Sequence, residues 1–136
     1  MTDFRRVTDT LSVAPQISVE DVETARAQGF VLIVNNRPDG ESPDQTPSGK
    51  IEAAARAAGL AYVHIPVMGG PTQAQAQAMH EAVNTAGGPV LAYCRSGTRS
   101  ITTWAYGEIL AGSTPREELA TLGAQAGYDL RPVLGV

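Results

Sequence analysis

The sequence predicts an α/β domain with a mainly parallel central sheet flanked by helices. Helix and strand signals alternate along the chain, which is the pattern of a parallel sheet with helices on its faces. A continuous apolar run at residues 30–34 has the composition of a central strand that is buried on both faces. The chain has 136 residues, of which 43% are hydrophobic, and can therefore bury a real core. We predict one domain over residues 1–136.

The first half of the chain is predicted to contain three strands and two helices. Ser18 is a helix N-cap signal and Gly29 a stop signal, and acidic residues occupy the first turn, where the helix dipole favours them. A loop rich in Pro, Gly, Asp and Glu follows the third strand. The predicted elements are strands at 4–7, 11–14 and 30–34, helices at 18–28 and 49–58, and the loop at 35–47.

The second half continues the alternation. Thr72 and Gln75 form a capping-box signal for a helix. Thr114 as N-cap and Pro115 at the first helical position predict a last helix. The tail from Tyr128 on has no strong pattern. The predicted elements are strands at 61–65 and 90–93, and helices that start after residue 72, at residue 100 and at residue 115.

Cys94, the only cysteine, follows the strand at 90–93 and precedes a short loop and a helix. The carboxyl ends of the strands are where open α/β sheets bind ligands, and a helix N-terminus favours anions. Arg95 and Arg99 add positive charge that stabilises a thiolate. The alternative is a buried structural cysteine, but that gives no reason for the arginines and the glycine that come after it. The pattern predicts a catalytic Cys94 and Arg99 acting on a small anionic substrate.

The other residues of this loop are predicted to bind the substrate. Gly97 is expected to adopt a positive φ. Ser100 either donates to the Cys94 thiolate or caps the following helix, and the sequence leaves both open. The predicted binding residues of the loop are Arg95, Ser96, Gly97, Thr98 and Ser100.

Arg37 and Asp39 follow the central strand at the same edge of the sheet as Cys94. They are predicted either to line the rim of the pocket, with Arg37 touching the substrate, or to form a turn in which Asp39 bonds its own backbone. His64 lies within a strand, which favours a structural role, although its role and that of Asp39 stay open.

Composition excludes several classes of function. The net charge of −4 argues against nucleic-acid binding, and no apolar stretch is long enough to span a membrane or act as a leader, so we expect a soluble, cytoplasmic protein. A lone cysteine fits a reducing compartment. Two histidines without a second cysteine have no metal-ligand spacing, and we expect neither a metal nor a cofactor. The oligomeric state cannot be derived.

Residues 93–100 resemble the active-site loop of rhodanese-like sulfurtransferases, in which four residues separate Cys from Arg; cysteine-dependent phosphatases have five. Segments 13–16, 34–40 and 62–67, with the Cys94 loop, resemble the phosphatase-like domain of beta-lactamase-hydrolase-like proteins. The resemblance is weak after Gly112. It implies a dual-specificity-phosphatase-like fold with a rhodanese-like loop. Some of those proteins carry a fused metallo-hydrolase domain, which suggests a functional link to a metallo-hydrolase or dioxygenase.

The loop length favours a sulfurtransferase that takes sulfane sulfur from thiosulfate or a persulfide onto Cys94, as a persulfide, and passes it to a thiol acceptor. The loop at 66–72 holds no carboxylate to protonate a phosphate ester's leaving group, and sulfite needs no such acid. Asp39 could substitute for the missing acid. The alternatives are a cysteine-dependent phosphatase that acts on a phosphate ester through a phosphocysteine, and a non-catalytic anion-binding module.

Overall fold

The computed structural model describes residues 2–136 and confirms the predicted fold class. Five strands form one sheet in the order β1-β2-β5-β3-β4, in which β1 is antiparallel to β2 and all other neighbours are parallel. The strands are β1 (Arg5–Arg6), β2 (Leu11–Ala14), β3 (Leu32–Asn35), β4 (Ala61–His64) and β5 (Val90–Tyr93). The helices are α1 (Val19–Ala27), α2 (Ser48–Ala57), α3 (Gln73–Thr85), α4 (Thr98–Ala111), α5 (Arg116–Gln125) and α6 (Arg131–Leu134).

The central strand β5 divides the core between two helical layers. Successive strand side chains point to opposite faces, so Val90 and Ala92 join a cluster with α3, α4 and α5, while Leu91 and Tyr93 join one with α1 and α2. Every residue of β5 is buried. The strand is therefore anchored on both faces, and the residue after its carboxyl end is held at the middle of the sheet.

Helix α4 is fixed against α3 by a close approach at Gly107. A Cβ atom at this position would lie 2.6 Å from the carbonyl oxygen of Ala76, a distance that only a glycine can accommodate. The contact holds α4 against α3, and four residues separate the start of α4 from the carboxyl end of β5.

The structure differs from the predicted elements at several boundaries. Helix α4 begins at Thr98 rather than Ser100, because Gly97 turns the chain directly into the helix. Helix α5 begins at Arg116; Pro115 occupies the cap, and the hydroxyl of Thr114 donates to Glu108 instead of capping the helix. The short helix α6 lies in the tail for which no element was predicted. It forms because Leu134 reaches the main core cluster.

Within residues 2–136, no helix combines the length and apolar character that crossing a membrane requires.

Candidate active site

Cys94 lies one residue beyond β5, between the parallel neighbours β2 and β3. Its backbone N–H donates to the carbonyl of Ala14 at 3.4 Å, which continues the pairing with β2. The residue is fully buried. Its sulfur accepts a hydrogen bond from the backbone N–H of Gly97 at 3.1 Å. The loop thus curls back over the sulfur and supplies a donor that stabilises negative charge on it.

Gly97 is the N-cap of α4 and has a φ of +93°, as predicted. A side chain here meets a second obstacle, because a Cβ would lie 2.1 Å from the hydroxyl oxygen of Tyr128. That hydroxyl donates to the carbonyl of Ser96 at 2.9 Å. Tyr128 therefore braces the loop from the tail of the chain. Nothing in the sequence pattern around residue 128 indicated this contact.

Hydrogen bonds within the loop hold its shape but do not use all of its N–H groups. The Ser96 hydroxyl donates to the Thr98 hydroxyl at 3.0 Å and accepts from the Thr98 N–H at 3.3 Å. Within residues 2–136, four N–H groups of the loop and the first turn of the helix donate no hydrogen bond. These belong to Arg95, Ser96, Arg99 and Ser100. A cradle of unpaired N–H groups at a helix N-terminus is an anion-binding arrangement.

Arg99 reaches from the first turn of α4 to the loop after β4. Its Nη1 donates to Glu41 Oε2 at 2.7 Å and to the Val67 carbonyl at 2.9 Å, and its Nη2 donates to Glu41 Oε1 at 2.7 Å. These bonds use three of the five guanidinium N–H groups. The pKa of Arg99 is raised, first by the Glu41 carboxylate and further by the nearby Cys94. Nε–H and the second Nη2–H share one edge of the guanidinium and donate no hydrogen bond within residues 2–136, so this edge can form a bidentate contact with an anion.

Glu41 is a site residue that the sequence analysis missed. Its carboxylate accepts from both terminal nitrogens of Arg99 and from Arg37 Nε at 2.9 Å. The Arg99 contact and then the Arg37 contact lower its pKa to about 2. The signal available in the sequence was an acidic residue four positions after Arg37. Its decisive partner lies 58 residues away.

Arg37 is buried behind Glu41. Its guanidinium donates to Glu41, to Gln16 Oε1 at 3.0 Å and to the Ser42 hydroxyl at 3.2 Å, and only 3% of the residue is exposed. The backbone carbonyl of Arg37 accepts from His64 Nε2 at 2.9 Å. The structure therefore connects Arg37 to the anion loop through Glu41 and Arg99.

Asp39 is bound at the start of α2. Its two carboxylate oxygens accept from the Ser48 N–H at 2.7 Å and the Ser48 hydroxyl at 2.5 Å, and these bonds lower its pKa. Asp39 and His64 share a cavity of about 400 Å³ with Pro66 and Met68. Pro66 and Met68 flank Val67, the residue whose carbonyl accepts from Arg99, so the same loop lines the cavity and contacts Arg99.

Arg95 and Ser100, the first and last predicted binding residues of the loop, differ in exposure. Arg95 is exposed, and its carbonyl accepts from the Gln16 N–H at 3.2 Å. Ser100 does not cap α4, because it lies in the third position of the helix. Its hydroxyl is buried and has no hydrogen-bond partner within residues 2–136. Nor do these residues contain a cluster of three or more His, Cys, Asp or Glu side chains that could hold a metal.

Comparison with known proteins identifies relatives over most of the chain. The sequence model of one family, the phosphatase-like domain of beta-lactamase hydrolase-like protein, matches residues 3–111. A beta-lactamase hydrolase-like protein of Agrobacterium fabrum is 40% identical over 126 residues, which are 92% of this chain and 29% of that protein. One from Xylella fastidiosa is 38% identical over 125 residues, again 29% of its length. The chain thus spans less than a third of these relatives.

Solved structures give the same assignment of the fold. A phosphatase candidate from Neisseria meningitidis is 27% identical with a TM-score of 0.87, and the match covers 99% of this chain and 96% of that one. Pseudomonas aeruginosa TpbA in complex with phosphotyrosine has a TM-score of 0.68 at 15% identity, covering 93% of this chain and 76% of that one. Kinase associated phosphatase, solved with its catalytic-site cysteine replaced by serine, has a TM-score of 0.70 at 16% identity, with 100% and 96% covered.

The predicted sulfurtransferase function is wrong on these findings, since the family and the structural neighbours are phosphatase-like. The error came from giving one residue of loop length more weight than the fold. The number of residues between Cys94 and Arg99 does not by itself select the anion, because unpaired N–H groups and a guanidinium edge serve phosphate as well as thiosulfate. A missing acid on the 66–72 loop limits which leaving groups can depart, not which atom is transferred.

Proposed function

The chain belongs to the family of phosphatase-like domains of beta-lactamase hydrolase-like proteins, and from this membership we propose that it hydrolyses phosphate monoesters through a phosphocysteine on Cys94. One observation carries the proposal. The buried sulfur of Cys94 accepts from the Gly97 N–H, lies near the Arg99 guanidinium, and belongs to a loop whose other N–H groups are largely unpaired within residues 2–136. Such donors suit the three equatorial oxygens of a transferring phosphoryl group.

The chemistry has two steps. In the first, the Cys94 thiolate attacks phosphorus, the sulfur–phosphorus bond forms, and the bond to the ester oxygen breaks with its electron pair on that oxygen. In the second, water attacks the phosphocysteine, the thiolate leaves, and the water proton passes to solvent as inorganic phosphate is released. The Gly97 N–H, which already donates to the sulfur, stabilises the thiolate at the start and end of the cycle.

The other residues of the site receive proposed roles from their contacts. Arg99 binds two phosphoryl oxygens through its free edge. Glu41 positions Arg99, and Arg37 positions Glu41, so Arg37 acts at a distance from the substrate. The hydroxyl of Ser100, which is buried and has no hydrogen-bond partner within residues 2–136, is proposed to donate to the sulfur.

The remaining proposed roles belong to residues at the surface of the site. The exposed Arg95 guanidinium contacts the part of the substrate beyond the phosphate, and the paired hydroxyls of Ser96 and Thr98 hold the loop in shape. Asp39 lines the adjoining cavity, in which the leaving group sits. A functional link to a metallo-hydrolase or dioxygenase stays a prediction, as does the activity of any longer protein that contains this domain.

The test is phosphate release from 4-nitrophenyl phosphate by the purified protein. Cys94→Ser should abolish it, and Arg99→Ala should lower kcat/KM by about 10²- to 10³-fold, the usual effect of removing a donor to the reacting group. Arg56→Ala is the matched control, because it removes an arginine paired to a carboxylate on the exposed face of α2. Equal activity in Arg99→Ala and Arg56→Ala would reject the assigned site.

A further inference from the structure

The two carboxylates near the site are hydrogen-bonded in their ionised form. Glu41 accepts three guanidinium hydrogen bonds, and both oxygens of Asp39 accept from Ser48. Each carboxylate is held by donors, which favour its ionised form, and the pKa of each is lowered. A general acid must carry a proton before the reaction. Neither Glu41 nor Asp39 can therefore supply this proton.

The loop that faces Arg99 offers no replacement. Residues 66–72 contain no acidic side chain and no imidazole, and the contact of this loop with Arg99 is the carbonyl of Val67. The next side chain, Met68, is 79% exposed and apolar. Two other proton carriers already donate within the protein. His64, which lines the adjoining cavity, donates from Nε2 to the Arg37 carbonyl, and the Tyr128 hydroxyl donates to the Ser96 carbonyl.

The cavity lined by the residues on either side of Val67, whose carbonyl binds Arg99, is the proposed place for the departing group. It measures about 400 Å³, and its walls combine apolar residues and glycine with four polar side chains: Pro38, Pro66, Met68 and Gly70 with Asp39, His64, Thr72 and Gln75. Its one carboxylate, Asp39, is a hydrogen-bond acceptor and repels other anions. The cavity therefore accommodates an uncharged organic group on the ester but gives the leaving oxygen no proton.

Building on the proposed phosphatase function, we propose that this site acts without a general acid and is specific for phosphoryl compounds whose leaving group departs as a stable anion. Acyl phosphates and phosphates of acidic phenols belong to this class. Phosphates of alcohols and of ordinary phenols such as tyrosine do not, because their oxygen needs a proton as the bond to phosphorus breaks. In the first step the leaving oxygen keeps the bonding electron pair and enters solvent unprotonated.

The experiment compares kcat/KM for 4-nitrophenyl phosphate, phenyl phosphate, phosphotyrosine and acetyl phosphate, with Cys94→Ser subtracting uncatalysed hydrolysis. 4-Nitrophenyl phosphate and phenyl phosphate are both phenol esters and differ in the acidity of the phenol that leaves. We expect 4-nitrophenyl phosphate to exceed phenyl phosphate and phosphotyrosine by about 100-fold or more, the usual contribution of a general acid. The comparison between acetyl phosphate and 4-nitrophenyl phosphate then shows whether acyl phosphates or acidic phenols are preferred.

A second arm supplies the missing acid. Met68→Asp places a carboxyl group next to the residue that contacts Arg99, and Met68→Asn is the matched uncharged control at the same exposed position. Met68→Asp should raise kcat/KM for phenyl phosphate about tenfold, part of the full effect of an acid, while Met68→Asn should not. Equal effects of the two variants would contradict a leaving group beside Met68.

The outcomes separate this inference from the proposed function. Similar kcat/KM values for 4-nitrophenyl phosphate and phenyl phosphate would show that the leaving oxygen receives a proton. This result would overturn the inference but not the proposed phosphatase function. No Cys94-dependent hydrolysis of any of the four compounds would reject the proposed function and the inference with it.

Discussion

Replacing Glu41 with glutamine tests the positioning of Arg99. Glu41 accepts from Arg99 Nη1 and Nη2 at 2.7 Å each and from Arg37 Nε at 2.9 Å. Glutamine keeps one acceptor oxygen and turns an NH₂ group toward two guanidinium groups, so most of these bonds are lost. The variant also removes the charge partner of Arg37, a residue of which only 3% is exposed.

The cost of this change can be bounded from the contacts. A hydrogen bond to a charged group contributes about 1.5–3 kcal/mol when it is buried. Glu41 is partly exposed, with 27% of its side chain accessible, so solvent screens its interactions with Arg99 and Arg37. We therefore apply the lower end of this range to the three hydrogen bonds together. We expect the free energy of unfolding to fall by about 2 kcal/mol and Tm by about 6 °C. Loss of Arg99 orientation should lower kcat/KM for an aryl phosphate about tenfold.

The pH dependence of stability gives an independent reading. Glu41 has a pKa of about 2 in the folded protein against an ordinary value of 4.5. A depressed pKa means that its stabilising contribution is complete above pH 4.5 and is lost as pH falls toward 2. Wild type should therefore lose more stability than Glu41→Gln across this interval, as followed by urea unfolding at each pH.

Glu52→Gln is the control, because Glu52 pairs with Arg56 on the exposed face of α2, where such a pair contributes about 0.3–0.5 kcal/mol. If Glu41→Gln and Glu52→Gln agree in Tm and in kcat/KM, Glu41 does not position Arg99 and the reasoning fails.

Three further substitutions probe the anion loop. Tyr128→Phe removes the donor to the Ser96 carbonyl without leaving a cavity, so thermal unfolding should show a loss of about 1 kcal/mol and kcat/KM should fall several-fold. Tyr106→Phe is the control, because its hydroxyl donates to the Val133 carbonyl instead, and it should leave kcat/KM unchanged. Gly97→Ala should lower the free energy of unfolding by more than about 2 kcal/mol, because left-handed backbone and displacement of Tyr128 both add cost, and a smaller loss in urea melts would contradict the close contact. Arg99→Lys should recover only a small part of the kcat/KM lost in Arg99→Ala, since a point charge cannot replace the two-pronged edge, and full recovery would argue against bidentate binding.

The sequence predicted the parts of the molecule that depend on local pattern. The apolar strand before Cys94, the capping box at Thr72 and the positive φ of Gly97 each have a cause within a few residues, and each is present in the structure. The alternating strands and helices indicated the parallel sheet and hence the edge at which Cys94 lies.

Contacts between distant segments were not predictable in this way. Glu41 and Arg99 are 58 residues apart in the sequence, and Tyr128 and Ser96 are 32 apart, so no local spacing predicts either contact. The burial of Arg37 results from the same network. The predicted function was wrong because it rested on loop length, a local feature, whereas the kind of fold in which the loop sits is a property of the whole chain.

The central claim is that Cys94 is phosphorylated during turnover. The most direct measurement is the intact mass of the protein after rapid acid quenching during hydrolysis of 4-nitrophenyl phosphate. Wild type should carry the added mass of one phosphoryl group, located on the peptide that contains Cys94, and Cys94→Ser should carry none on that peptide. Turnover of this substrate with no phosphorylated Cys94 peptide, or turnover that persists in Cys94→Ser, would contradict the account.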